Sequence, residues 1–263
     1  MLKKYWKQCM AGVMVAILTG CSQERPTEYE GWDLVWHDEF NKDGVPDSAF
    51  WSFEEGFVRN KELQWYQAGN AVCKDGVLII EGRKERIKNP DYDSESSSWR
   101  TNREFAEYTS ASIRTRGKQE FLYGRFEMRA KIPVVSGAWP AFWMLGTQNS
   151  WPSCGEIDIM EYYRIGGEPH ILANAAWGAK RGDVPEWNSA KLPYSKFTAK
   201  DIDWAGKFHI WRMDWDQEFI RLYLDDELLN EIPLSNTVNG SVGKFINPCL
   251  LYTSPSPRDA TLS

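Results

Sequence analysis

Gly155-Glu156-Ile157-Asp158-Ile159-Met160-Glu161-Tyr162-Tyr163 is the stretch on which the fold turns. Three carboxylates are interleaved there with large apolar side chains. Ile157 and Ile159 are β-branched, and such residues fill the buried face of a strand. On a regular strand positions i and i+2 share a face, so Glu156 and Asp158 point together. Glu161, at i+5, should point away. A β-bulge absorbs one extra residue and re-aims the side chains beyond it. A bulge at Met160 therefore predicts that Glu161 joins the other two acids, its Cα roughly 13 Å from that of Glu156.

That arrangement has a chemistry. Two Glu side chains leaning inward from such a distance can close to the ~5–5.5 Å carboxyl separation that suits retaining hydrolysis of a glycosidic bond. The ordinary alternative is a strand with a solvated acidic edge. Three acids are poor strand composition, and the surrounding sequence decides between the two.

The chain has 263 residues, room for one large domain or two small ones, and 42% apolar content can fill a core. Its 14 Trp are the compositional anomaly. An indole fills a core awkwardly, because its N–H needs a partner, but it presents a flat apolar face on which sugar C–H groups stack. A net charge of −6 without a basic block argues against nucleic acid. Cys73, Cys154 and Cys249 are odd in number and widely spaced, and zinc is disfavoured. No metal or cofactor is expected, and the residues do not indicate a structural calcium ion.

Residues 1–21 read as a processing segment. Lys3, Lys4 and Lys7 precede an apolar run, Ala11 to Leu18, too short to span a bilayer. Leu18-Thr19-Gly20-Cys21 resembles a bacterial lipoprotein signal, with cleavage before Cys21 and lipid on its thiol. The expected product is a soluble monomeric domain held by its acyl chains at the cell envelope, periplasm-facing or at the surface. Residues 22–31 are polar and read as a tether.

Strands are expected at Leu34–Phe40, Trp51–Phe53, Tyr108–Thr115, Tyr123–Ile132, Trp139–Leu145, Ile171–Trp177, Phe208–Trp215 and Phe219–Leu224. Ala71–Cys73 and Val77–Gly82 flank Lys74-Asp75-Gly76 as a hairpin. In Tyr123–Ile132, Arg125, Glu127, Arg129 and Lys131 share one face and Phe126, Met128, Ala130 and Ile132 the other, a half-buried antiparallel strand. Arg59-Asn60-Lys61-Glu62-Leu63-Gln64-Trp65-Tyr66 mixes polar and aromatic groups as a cleft wall for sugars would. Residues 86–104 form a polar loop whose Trp99 and Arg100 could reach over a cleft. No segment has a 3.6-residue period, so the expectation is an all-β antiparallel sandwich or barrel.

Together these residues resemble glycoside hydrolase family 16. The signature Glu-x-Asp-x-x-Glu stands at Glu156, Asp158 and Glu161. Supporting stretches are Asp38-Glu39-Phe40, Asn60 to Gln64, Tyr123 to Glu127, Trp139 to Trp143 and Trp151-Pro152-Ser153, in family order from 32 to 248. The resemblance implies a concanavalin A-like jelly roll and a retaining endo-β-glycanase. Glu156 would be the nucleophile, Glu161 the acid and then the base, and Asp158 the group between them. Trp139 and Trp143 would be sugar platforms. Arg125, Asn60, Glu62 and Trp177 would be further substrate contacts. Met160 places the chain on the bulged, laminarinase-like branch, which holds glucanases and galactanases alike. The Asn60 to Gln64 run is most similar to its β-1,3-glucan members, which implies β-1,3- or mixed-linkage β-1,3/1,4-glucan. Many laminarinases carry His on the strand after the acids, where this chain has Ala173-Asn174-Ala175-Ala176-Trp177. An endo-β-galactosidase acting on mucin-type or algal galactans is therefore the second reading, and a non-catalytic glycan-binding lipoprotein the third.

Residues 249–263 depart from the family pattern and resemble a translated sequencing-adapter read. The expectation is a tail outside the fold and a jelly roll of residues 32–248 missing its last strands, with two open sheet edges and too little stability.

Overall fold

Burial alternates with exposure along His209–Trp215 and again along Phe219–Leu224. Trp211, Met213, Ile220 and Leu222 are completely buried. Each such side chain contributes about 1.5–3 kcal/mol through the apolar surface it takes from water. A computed structural model shows where that surface goes, and it describes residues 29–178 and 184–237 together with the backbone of 249–257. The proposed signal segment with Cys21 lies outside the described residues.

In chain order the described strands are β1 (Ser52–Phe53), β2 (Gln64–Tyr66), β3 (Ala71–Lys74), β4 (Val77–Ile80), β5 (Ile87–Lys88), β6 (Phe105–Ala106), β7 (Tyr108–Ser110), β8 (Ile113–Arg114) and β9 (Gly124–Ala130). They continue with β10 (Ala138–Gly146), β11 (Glu156–Ile165), β12 (Glu168–Gly178), β13 (Pro185–Pro193), β14 (His209–Trp215), β15 (Phe219–Leu224), β16 (Glu227–Pro233) and β17 (Cys249–Pro257). The larger sheet has the order β1-β8-β17-β10-β11-β12-β13 and the smaller β16-β15-β14-β9. Strand β11 packs on β14, and β12 and β13 pack on β16. Ile157 and Ile159 from one sheet and Trp211 and Met213 from the other, all fully buried, fill the space between. Asn230 on β16 donates to the Ala173 carbonyl on β12 at 2.9 Å, a polar tie across the core. The fold is an antiparallel sandwich, one of the two architectures the alternation allows, and the jelly roll that the resemblance implies.

The chain divides into two units, Met1–Asp38 and Glu39–Ser263. In the described part of the first, Trp32 N–H closes a turn onto the Tyr29 carbonyl at 3.0 Å. The strand expected at Leu34–Phe40 is not formed, and Leu34 and Val35 are exposed. An apolar run becomes a strand only where a neighbour accepts its backbone hydrogen bonds.

Two further differences concern the larger sheet. Residues 249–257, expected outside the fold, form β17. Its backbone pairs with β10 along its whole length and with β8 at Tyr252 and Thr253. The sheet is continuous there, and the anticipated pair of open edges does not arise. Backbone pairing recruits an extended segment largely irrespective of its side chains. The second is β13, whose mixed composition, with Pro at both ends, suits the edge position it occupies.

Candidate active site

The register around β11 contains the expected irregularity. Asp158 lies opposite Trp143 of β10 and Asn174 of β12, and Glu161 lies opposite Ala141 and Leu172. Three residues of β11 thus span what two span on either neighbour, a bulge at Ile159–Met160. Residues directly opposite one another share a face, so all three acids point away from the core that Ile157 and Ile159 fill.

The same pairing builds rows across that face. Leu145, Glu156, Ala176 and Trp187 form the first, on β10 through β13. Trp143, Asp158, Asn174 and Ser189 form the second, and Ala141, Glu161, Leu172 and Lys191 the third. Beyond the third row Trp139 and Tyr163 meet edge to face, ring centroids 6.0 Å apart.

Two indoles and an amide among the described residues donate to these acids. Trp151 Nε1 donates to Glu156 Oε2 at 2.5 Å. It does so from a tight loop in which Cys154 N–H bonds the Ser150 carbonyl and Gly155 N–H the Pro152 carbonyl. Gly146 opens that loop, and a Cβ there would lie 2.0 Å from the Cys154 carbonyl oxygen, so no other residue fits. Trp139 Nε1 donates to Glu161 Oε1 at 2.9 Å. Asn174 Nδ2 serves two acids, Glu161 Oε2 at 2.9 Å and Asp158 Oδ2 at 3.3 Å. Its own Oδ1 is buried without a protein partner. An amide turned fully toward the acids at the expense of its acceptor is a local sacrifice of the kind found at working sites.

Burial pushes the Glu156 carboxyl above its usual range, against the Trp151 indole, a hydrogen bond with Asp158 and the charge of Arg59. Asp158 is raised much further, first by burial and then by the charges of Glu161 and Glu156. Its hydrogen bond to Glu156 raises Asp158 and lowers Glu156, which places the shared proton on Asp158. The neighbouring Cys154 thiol is pushed up to about 11 by burial and by Glu156, and is not a nucleophile near neutral pH.

Arg59 joins the site to the chain's earlier segment. Its guanidinium lies over the Trp143 ring at 5.2 Å and the Tyr66 ring at 5.7 Å. Buried Glu54 holds it and also accepts from Ser112 Oγ at 2.7 Å and Arg114 Nη1 at 2.9 Å. Glu62 beside it is buried, with Gln64 Nε2 at 2.7 Å, Tyr66 Oη at 3.0 Å and Asn60 Nδ2 at 3.4 Å. Burial raises the Glu62 carboxyl, and Arg59 opposes the shift. Asn60 and Glu62 therefore stand with Trp143 on the β10 flank. Trp99 and Arg100 do not reach over a cleft. The Trp99 ring packs on Phe57, centroids 6.1 Å apart, and Arg100 and Arg103 strap residues 57–62 by donating to the carbonyls of Phe57, Val58, Lys61 and Glu62.

Two candidates fall elsewhere. Arg125 forms a two-pronged pair with Asp214, at 2.7 and 2.9 Å. Met213 and Trp215 on either side of Asp214 point into the core, so Arg125 lies on the outer face of the smaller sheet, away from the acids. Trp177 is displaced by one residue of parity. Ala176 shares the row of Glu156, so Trp177 faces the other way, buried, with its Nε1 on Glu186 at 3.1 Å. Trp151, Asn174 and Trp187 were not anticipated as site residues, and Arg59 only as part of the expected cleft wall at residues 59–66. For Trp151 its place just before the acidic strand gave a hint. Among the described residues no group of three or more His, Cys, Asp or Glu is arranged to hold a metal ion.

Residues 63–259 match the family described as Glycosyl hydrolases family 16. The match runs through β17, beyond residue 248 where the sequence pattern was expected to stop. A β-glucanase of Rhodothermus marinus is 35% identical over 88% of this chain and 77% of its own length. The laminarinase catalytic domain of Thermotoga maritima superposes with a TM-score of 0.67 at 33% identity, over 86% of this chain and 87% of that one. A protein from work on endo-acting O-glycanases with which human gut microbiota initiate mucin breakdown gives 0.75 at 32% identity, over 86% and 81%.

Proposed function

Since the chain belongs to glycosyl hydrolases family 16, we propose that its acids hydrolyse internal β-glycosidic bonds of a polysaccharide with retention, the best substrate being β-1,3- or mixed-linkage β-1,3/1,4-glucan. One observation carries the reading: Glu156, Asp158 and Glu161 share one face of a bulged strand, as the register with both neighbouring strands shows. A Glu156 oxygen attacks the anomeric carbon while the glycosidic C–O bond breaks and the leaving oxygen takes the proton of Glu161. Water then delivers its hydroxyl to the anomeric carbon and its proton to Glu161, freeing Glu156. Asp158 keeps Glu156 ionised in the resting site by giving it a hydrogen bond. Trp139 and Trp143 flank the reacting sugar, Trp139 also fixing Glu161.

The experiment is to incubate the protein with laminarin, barley β-glucan, agarose and mucin glycans and to size the products. Internal cleavage of the glucans is expected. Release of single sugars only, or no cleavage of any of these, overturns the reading. Cleavage of agarose or mucin glycans alone selects the galactosidase reading. The likeness to the gut-microbiota structure favours that second reading.

For residues 1–21 the proposal is a lipoprotein signal with acylation of Cys21, placing a monomeric domain at the cell envelope. Labelled palmitate incorporated by the parent and not by Cys21→Ala is the expected result. Equal labelling overturns it.

A further inference from the structure

Aromatic groups close the acid face along the strand direction. Trp151 stands before Glu156, and the Trp139–Tyr163 pair stands beyond Glu161. The groove is thus open across the strands, toward β12 and the edge strand β13. The first row out of the acids in that direction is Glu156, Ala176, Trp187. Ala176 is the smallest side chain that still covers the backbone, and it leaves a low floor. Trp187 rises at its far side, 47% exposed, on an otherwise polar edge strand. An indole normally finds a core or an N–H partner. The other cleft indoles are committed: Trp139 and Trp151 to acids, Trp143 beneath Arg59. Among the described residues Trp187 makes no ring contact or hydrogen bond, so both its face and its N–H are available. Two strand spacings, about 10 Å, separate it from Glu156, the reach of about two pyranose rings.

We propose that Trp187 is a stacking platform for the sugar ring about two residues from the cleaved bond on the β12–β13 flank. The inference rests on the hydrolytic reading above and extends it to a substrate-length requirement. A ring lying over Ala176 places the next on the indole, whose N–H then faces a hydroxyl. Substrates too short to reach Trp187 do not sense it.

The test compares parent, Trp187→Ala and Trp187→Phe on glucan oligosaccharides from dimer to heptamer. Trp187→Ala should lower kcat/KM about tenfold on the oligomers long enough to reach β13, chiefly through KM, and less than twofold on the shortest substrate cleaved. Trp187→Phe should recover most of the loss. Equal loss at all lengths, or no loss at any, overturns the platform. Retardation in gels containing laminarin or barley β-glucan reads binding separately. Retardation equal in parent and Trp187→Ala overturns the platform whatever the hydrolysis assay gives. Retardation that depends on Trp187 without hydrolysis overturns the hydrolytic reading and leaves the platform standing.

Discussion

The cleft face of β11 and the outer face of the smaller sheet both carry acids alternating with apolar residues, yet they hold those acids in opposite ways. On the outer face the partners are guanidinium groups. Arg125 grips Asp214 with two bonds, Arg221 reaches Glu231 at 2.7 Å, and Arg212 pairs with Asp226. On the cleft face the donors seen are two indoles and one amide, and Asp158 shares its proton with Glu156. A guanidinium fixes a carboxylate in one protonation state. Neutral donors orient the oxygens and leave the proton free to move, which acid–base chemistry requires. The comparison separates structural acids from working ones more sharply than burial does.

The largest expected effect lies on the cleft side. Glu156→Gln should lower hydrolysis by at least about 10⁴-fold while leaving the melting temperature near that of the parent. A variant hydrolysing at the parental rate would remove Glu156 from the mechanism. Asp158→Asn comes next, with an expected loss of about 10²–10³-fold. It also carries a stability signature. The folded Asp158 pKa lies well above the unfolded value of about 3.9, so its contribution is fully present below that value and is lost as pH rises through the folded pKa. Asn cannot ionise. Its melting temperature should gain on the parent as pH rises, and a difference that does not grow with pH would refute the assignment.

A subtler effect is expected of Trp151→Phe. Burial raises Glu156 and the indole N–H is the strongest opposing influence, so losing it raises the carboxyl further. The acidic limb of the kcat/KM profile should move to higher pH with the plateau nearly unchanged. An unmoved limb would show that the bond does not tune the nucleophile. The smallest effect belongs to the other face. Asp214→Asn should cost about 1 kcal/mol in denaturant unfolding and leave kcat/KM intact. A large loss of activity there would erase the distinction between the two faces.

Much of this was legible because strand alternation is local. The acids, the bulge, and Trp139 and Trp143 on one face of β10 follow from period two and from one awkward spacing. Arg125 and Trp177 show where that logic stops. Alternation says which residues of a strand travel together, but not which face meets the core or which neighbour lies opposite. Trp177 missed the cleft by a single position, and Arg125 sits in the right kind of strand in the wrong sheet. Asn174 and Trp187 owe their places to pairing between β11, β12 and β13, at separations no local pattern reports. For β17 the sequence misled: its side chains looked foreign, while its place in the sheet depends on backbone hydrogen bonds.

The bulge at Ile159–Met160 also makes this strand unusually tolerant of a change in length. Losing one residue from a strand ordinarily inverts the facing of everything after it. Here, removal of Met160 would leave Glu156, Asp158 and Glu161 in strict alternation. Tyr162 would still point inward and Tyr163 outward. The surplus residue acts as slack, so chains of two lengths can present the same three acids. A single-codon deletion, which inverts facing elsewhere in the sheet, here preserves the facing of all three acids.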